Sequence, residues 1–413
     1  MVRSAILDRP LTLPCGAVLP NRIAKAAMSE HLAAARQSPS DGLTRLYGEW
    51  SKSGAGLLIT GNVMVDPTHL ESNLNVAIRP ELDADAFRRW AQAGTASGNH
   101  LWMQLNHPGR QTPASIHPEP SAPSAGEAVD LFKRAGAFAP PRAMSLEEVD
   151  ACINAFARAA ALAKETGFTG VQVHGAHGYL VNQFLTPRIN QRSDQWGGAT
   201  IGERARFLRA IIRAIREAVG PDFPIGLKLN STDFQHGGFN EEESMQVLQM
   251  MQEDTVDLVE ISGGSYEARA MLEGMSEQPS NEAYFLDYAE KARALVDMPI
   301  MVTGGFRTRS IMEQSVESGW LDVVGMARPF TQNTRVARQL IDGEIDKAAD
   351  PPPILGISRL GGAGSAGMSI VQMAAIANGR DPTSRFSSLR ALLAVGKHEL
   401  SSLKRAKKPR ANA

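Results

Sequence analysis

Between Arg22 and Asp342 the chain alternates short, β-rich apolar runs with longer stretches of helical period. The runs are Ile23–Met28, Gly56–Val63, Leu101–Leu105, Gly170–His174, Pro224–Leu229, Leu258–Ser262, Pro299–Thr303 and Asp322–Gly325, eight in all. Most are continuously apolar rather than alternating, as strands covered on both faces should be. The intervening helices carry their own signals. Ser145-Leu146-Glu147-Glu148 is a capping box that opens a helix with apolar residues at Val149, Cys152, Ile153, Phe156 and Ala160. Glu203 to Val219 repeats the helical period until Gly220-Pro221 stops it. Eight β–α units predict an α/β fold, a (β/α)8 TIM barrel. A doubly wound open sheet is the alternative, and the count favours the barrel.

Two segments stand apart from this pattern. His107 to Arg142, rich in Pro, Ala and Ser, reads as a long loop excursion after strand 3. After Asp350 come Pro351-Pro352-Pro353, a Gly-rich piece, one amphipathic segment and a basic tail from Lys404 to Ala413. The boundary therefore falls near 350, with the barrel over 1–350 and a C-terminal extension of loop, one helix and tail over 351–413. Lys plus Arg is 43 and Asp plus Glu 44, so the chain lacks the basic excess of a dedicated nucleic-acid binder. Two cysteines are too few for a disulfide framework or a four-thiolate iron–sulfur cluster. No apolar run approaches 18 residues and the N-terminus has no sustained apolar stretch, so the expectation is a cytoplasmic protein.

Barrel sites lie where strands end. Strands seven and eight run into Gly304-Gly305 and into Gly325-Met326-Ala327-Arg328. Glycines there let backbone N–H groups approach an anion, and a guanidinium adds charge, so the pair predicts a phosphate site. Strand four ends in His174-Gly175-Ala176-His177-Gly178-Tyr179. Two imidazoles and a phenol so close together are either donors for a carbonyl oxygen or anion, or metal ligands with a third from His107 or His236. Lys228 on strand five, facing inward, needs a partner or a job. Gly362-Ala363-Gly364-Ser365-Ala366-Gly367 matches G-x-G-x-x-G, yet it lacks a good preceding strand and a returning one. It reads as a flexible loop.

The segment from His174 to Leu180, followed by Gln183-Phe184-Leu185-Thr186-Pro187, Asn190, Arg192, Asp194 and Gly197-Gly198, resembles the Old Yellow Enzyme family. Gln104-Leu105, His107, Gly109-Arg110-Gln111 and the two glycine loops fit the same family, and the resemblance covers about residues 8 to 345. It implies a barrel that holds FMN non-covalently, takes hydride from NAD(P)H and reduces activated alkenes. It further implies Gln104 and Lys228 at the flavin pyrimidine, with Lys228 where the family usually has arginine. Gly304, Gly305, Gly325, Ala327 and Arg328 would face the phosphate. Ala27, Met28, Ser29 and Asn62 would line the cofactor, with Ser29 where Thr or Cys is usual. His174 and His177 would bind the substrate oxygen, Tyr179 would supply a proton, and His31 would stand where one subgroup binds substrate through tyrosine.

The expected function is thus an FMN-dependent NAD(P)H oxidoreductase of ene-reductase type, without a metal, acting on a small-molecule alkene and a nicotinamide nucleotide. No nucleic-acid or membrane partner is expected, and a homo-oligomer stays open. A flavin-free barrel aldolase or isomerase, with Lys228 forming a Schiff base to a phosphorylated substrate, is one rival. A redox-inert ligand-binding barrel is another. Colour separates them, because the first is yellow and bleaches with NAD(P)H.

Overall fold

The computed structural model describes residues 3–129, 137–264, 282, 283, 285–349, 358–382 and 393, with 358–366 traced through the backbone. The eight expected runs all form strands: β1 (Ile23–Lys25), β2 (Leu57–Met64), β3 (His100–Asn106), β4 (Gly170–Gly175), β5 (Ile225–Asn230), β6 (Leu258–Ser262), β7 (Ile300–Thr303) and β8 (Val323–Met326). They pair in parallel in chain order, and β8 returns to β1 through Val324 against Ile23. The sheet is closed, which settles the barrel against the open alternative. A helix follows each strand: α1 (Asp41–Ser51), α2 (Ala84–Gly94), α3 (Leu146–Glu165), α4 (Arg206–Val219), α5 (Glu241–Glu253), α6 (Leu286–Arg293), α7 (Arg309–Glu317) and α8 (Val336–Asp342).

Local chemistry sets the helix ends. Ser145 and Glu148 form the expected reciprocal capping box at α3. The segment expected as one helix from Glu203 is two, because Ala205 separates a short turn (Ile201–Arg204) from α4. Buried Arg204 is held there by the carbonyls of Leu185 and Ala199 at 2.8 and 2.7 Å.

Two apolar layers follow. One lies between strands and helices; the other fills the barrel around Trp102, Ile59, Leu258 and Met301. Trp102 needs the glycines of its neighbours. A Cβ on Gly226 would lie 2.8 Å from the indole, and one on Gly170 would be closer still. A hairpin of Leu11–Thr12 and Val18–Leu19 adds apolar side chains to this inner cluster.

The excursion after β3 is ordered where described. Its Ser121–Ala122 pairs with Arg142–Ala143. The proline run and the basic tail lie outside the described residues. The G-x-G-x-x-G segment corrects its reading as a flexible loop, because it lies inside a further helix, α9 (Ser358–Ala377). Tertiary packing overrides the poor helix propensity of glycine. Met373, Ile376 and Ala377 are buried, and Arg45 on α1 donates to the Ala377 carbonyl at 2.6 Å.

Candidate active site

Two imidazoles and a phenol converge at the C-terminal end of β4. His174, the last but one residue of that strand, is buried and stands in register with Lys228 on β5. The chain then turns through His177 at φ 60° and Gly178 at φ 76°. A left-handed histidine costs about 1–3 kcal/mol and persists only where its surroundings enforce it. Here its N–H donates to Asn230 Oδ1 at 3.2 Å, and its carbonyl accepts from Gln111 Nε2 at 3.1 Å. The turn brings the His174 ring within 5.1 Å of His177 and 4.7 Å of Tyr179, edge to face in both cases.

Both imidazoles are neutral at neutral pH. Burial, then the charges of His177 and Lys228, push His174 well below the ordinary histidine range. Burial and Lys228 do the same to His177. His174 Nδ1 accepts the Ala176 N–H at 3.3 Å, so its proton resides on Nε2, which makes that nitrogen a donor. His177 Nε2 lies 2.7 Å from Ser262 Oγ at the end of β6.

The Tyr179 hydroxyl donates to Glu71 Oε2 at 2.6 Å. Asn62 reaches both groups, with its amide 2.9 Å from Glu71 Oε2 and 3.4 Å from the phenol oxygen. Ser29 and Asn75 donate to the other carboxylate oxygen. Burial alone raises the Glu71 carboxyl. The charge of His31 and the bonds from Ser29, Tyr179 and Asn75 outweigh it and hold the group below its ordinary value. A cavity of about 400 Å³ is lined by Met28, Ser29, His31, Glu71 and Arg328, together with Ser369, Ile370 and Met373 of α9.

Neighbouring strands contribute a buried polar chain. Gln104 Nε2 donates to Gln172 at 2.7 Å, Gln172 to Glu260 at 2.8 Å, and Lys228 Nζ to the other Glu260 oxygen at 2.8 Å. Lys228 therefore has both a partner and a place at the site. It lines a second cavity of about 550 Å³ with Ala27, His177, Gly304, Gly305, Gly325, Ala327 and Arg328. Gly304 and Gly305 take φ 155° and 83°. A Cβ on Gly325 would collide with the Thr303 hydroxyl and lie 2.6 Å from the Met301 methyl. The Thr303 hydroxyl is buried and finds no hydrogen-bond partner in the protein. An orphaned donor beside a glycine cradle, with a lysine and an arginine on the same wall, fits a phosphorylated cofactor.

A further cavity, about 620 Å³, lies elsewhere, beneath the excursion. Among the described residues its Asp66, His69 and His107 form the one group with metal-ligand spacing. Their hydrogen bonds oppose that use. His69 Nε2 accepts from the Ser121 N–H at 3.2 Å and His107 Nδ1 from the Gly109 N–H at 3.0 Å. The nitrogens facing Asp66 then carry protons, and a metal would have to displace them. His107 is thereby placed away from the His174–His177 pair as a ligand, and His236 is exposed on its own loop.

Comparison with known proteins decides the family. Residues 7–346 match the profile of the NADH:flavin oxidoreductase / NADH oxidase family. The NADH-dependent flavin oxidoreductase iliE of Hypocrea jecorina is 38% identical over 363 residues, which cover 83% of this chain and 90% of the relative. The chain belongs to that family, the Old Yellow Enzymes. The NADH-dependent flavin oxidoreductase nadA of Aspergillus parasiticus is 37% identical over 80% of this chain and 77% of its own. A 2-naphthoyl-CoA reductase structure superposes with TM-score 0.76 at 26% identity, covering 83% of this chain and 53% of that one. Morphinone reductase shares the fold at TM-score 0.70 and 24% identity, over 84% and 93% of the two chains.

As an Old Yellow Enzyme the protein is an FMN- and NAD(P)H-dependent oxidoreductase. The structure brings together His174, His177 and Tyr179, and separately Lys228 with the two glycine loops. Asn62, expected at the cofactor, has its amide on Tyr179 and Glu71, and Ser29 likewise bonds Glu71. Sequence reasoning missed Glu71, Gln172, Glu260 and Ser262. Glu260 left a trace, a lone charge within the apolar run Leu258–Ser262. Glu71 left none, because its loop bears no period.

Proposed function

We propose that the protein reduces the activated C=C bond of α,β-unsaturated carbonyl or nitro compounds with NAD(P)H. The observation that carries this is the neutral His174–His177 pair in ring contact with Tyr179, beside a cavity fit for the cofactor. Bound FMN supplies hydride transfer from nicotinamide to alkene. The chain's own groups do the rest. His174 Nε2–H, with His177, holds the substrate oxygen and stabilises the negative charge that gathers there. Neutral imidazoles suit this role, since each keeps an N–H to donate without adding a buried charge. Tyr179 gives its proton to the α-carbon.

For the cofactor, we assign Ala27, Met28, Ser29 and Asn62 to the wall beside the ring system. Gln104 and Lys228 face its pyrimidine edge, and Gly304, Gly305, Gly325, Ala327 and Arg328 hold the phosphate. Lys228, bonded to a carboxylate, is poorly set up as a Schiff-base nucleophile, which needs an apolar pocket or a cationic neighbour. The NADH-dependent naming of the fungal relatives supports NADH as donor.

A panel of enones and nitroalkenes, run with each nicotinamide, tests the reaction. A phenol that binds the histidine pair as its anion should give a long-wavelength charge-transfer band, lost in the His174→Ala/His177→Ala variant. No turnover of any activated alkene would remove the proposal.

A further inference from the structure

We propose that α9 selects the acceptor: its Ile370 and Met373 seat an apolar substituent, so the preferred substrate is an activated alkene bearing a hydrocarbon tail. The inference rests on alkene reduction at His174 and His177 and adds which alkenes bind well.

α9 is fixed to the barrel by its last turns. Met368, Met373, Ile376 and Ala377 are buried. The helix packs on α1 and on the turn Pro329–Gln332 that follows Arg328. Arg45 of α1 donates to the Ala377 carbonyl at 2.6 Å, and a Cβ on Gly42 would lie 3.5 Å from the Ala377 methyl. Gly379 at φ 71° then ends the helix. Its N–H donates to the Ile376 carbonyl at 2.9 Å, and the Arg380 N–H to that of Ala375 at 3.0 Å. A segment held this way presents a fixed wall.

That wall is mainly aliphatic where it meets the cavity beside Glu71. Ser369, Ile370 and Met373 stand at i, i+1 and i+4 and share one side of the helix. Ser369 and Ile370 are half-buried, whereas Met373 is 1% exposed and also belongs to the core. The cavity's polar groups come from the strand-end loops, and their bonds tie it to the reacting centre. Gln111 donates to the His177 carbonyl at 3.1 Å, and Glu71 accepts the Tyr179 hydroxyl at 2.6 Å. An acceptor with its oxygen on the histidine pair thus has this cavity for the rest of its body. At about 400 Å³ the space suits a drug-sized ligand, and a small enone leaves most of it to water. A hydrocarbon tail displaces that water and gains about 4-fold in affinity for each methylene it buries.

The test uses the full-length, flavin-loaded protein and two homologous series. Enones of the alk-3-en-2-one type, with lengthening tails, are turned over with NADH. The matching alkan-2-ones, which have no C=C bond to reduce, are titrated against the flavin absorbance. KM and Kd should both fall about 4-fold per methylene until the cavity is filled, while kcat changes less. Ile370→Asp should remove that gain in both series, and Ile370→Leu should keep it. Ser369→Phe serves if Ile370→Asp fails to fold. Its ring would occupy the cavity, so short ketones should bind as before and long ones roughly 10-fold or more weakly. A parent series without tail dependence, or an unchanged slope in Ile370→Asp, overturns the role of α9 while alkene reduction stands. A variant that raises the KM for NADH as much as that for the long enones assigns the wall to the nicotinamide and overturns it too. No reduction of any enone overturns the proposed reaction, and the acceptor class with it.

Discussion

Tyr179 separates a proton donor from a packing residue by which half-reaction suffers. Tyr179→Phe keeps the ring contact with His174 and removes only the hydroxyl. Flavin reduction by NADH should stay near the parent rate, while reoxidation by an enone should slow by ~10²–10⁴-fold. Equal loss of both half-reactions in rapid mixing would reject the assignment. Lys228 calls for a different design, because its partner Glu260 is fully buried. Lys228→Met alone strands that carboxylate, and breaking such a pair costs about 3–5 kcal/mol. Glu260→Gln instead keeps the lysine and removes the charge that offsets it. If Lys228 faces the reduced, anionic flavin, the midpoint potential should rise by on the order of tens of millivolts in a redox titration. An unchanged potential would make the pair structural.

At the scale of elements, the β7 and β8 loops are the ones we assign to the cofactor phosphate, and the inner strands carry the core. If Arg328 holds the phosphate as assigned, Arg328→Ala deletes a charge-assisted contact of about 1.5–3 kcal/mol, and FMN affinity should weaken roughly 10- to 100-fold in a fluorescence titration. Unaltered affinity would move the phosphate away from this arginine. Gly226→Ala tests the barrel interior. Its methyl would press the rigid Trp102 indole, and overpacking of this kind costs about 1–3 kcal/mol in urea unfolding. α9 adds an element outside the family match, and its Ser369, Ile370 and Met373 line the same cavity as His31 and Glu71. The extension beyond the barrel thus contributes to the site.

For the whole molecule, the buried histidines set an acid limit. His174 and His177 stay neutral in the folded chain because burial and nearby cations depress them, whereas the unfolded chain takes up protons near pH 6.5. Below that pH the unfolded state binds more protons, so stability falls with falling pH. Each histidine that stays neutral contributes about 1.4 kcal/mol per pH unit over this window. Thermal melts of the FMN-loaded protein between pH 7.5 and 5 should show the decline, and a flat profile would contradict it. No helix among the described residues is long and apolar enough to cross a membrane.

Periodicity and strand-end chemistry are local properties, so the sequence alone determined the eight strands, the α3 capping box, the glycine loops and the His174–His177–Tyr179 cluster. Each is written within a few consecutive residues. Lys228 was visible as an inward charge, but its partner lies 32 residues on, and only the parallel register of β5 with β6 joins them. Glu71 meets Tyr179 across 108 residues of chain and Ser29 across 42. No local pattern encodes such meetings, because they depend on barrel closure bringing separate strand ends to one mouth. The glycines of α9 point the same way: local propensity favours a loop, and packing against α1 makes a helix. What the tertiary structure alone decided is which polar groups share a buried space, and there hydrogen bonding and charge must be satisfied together.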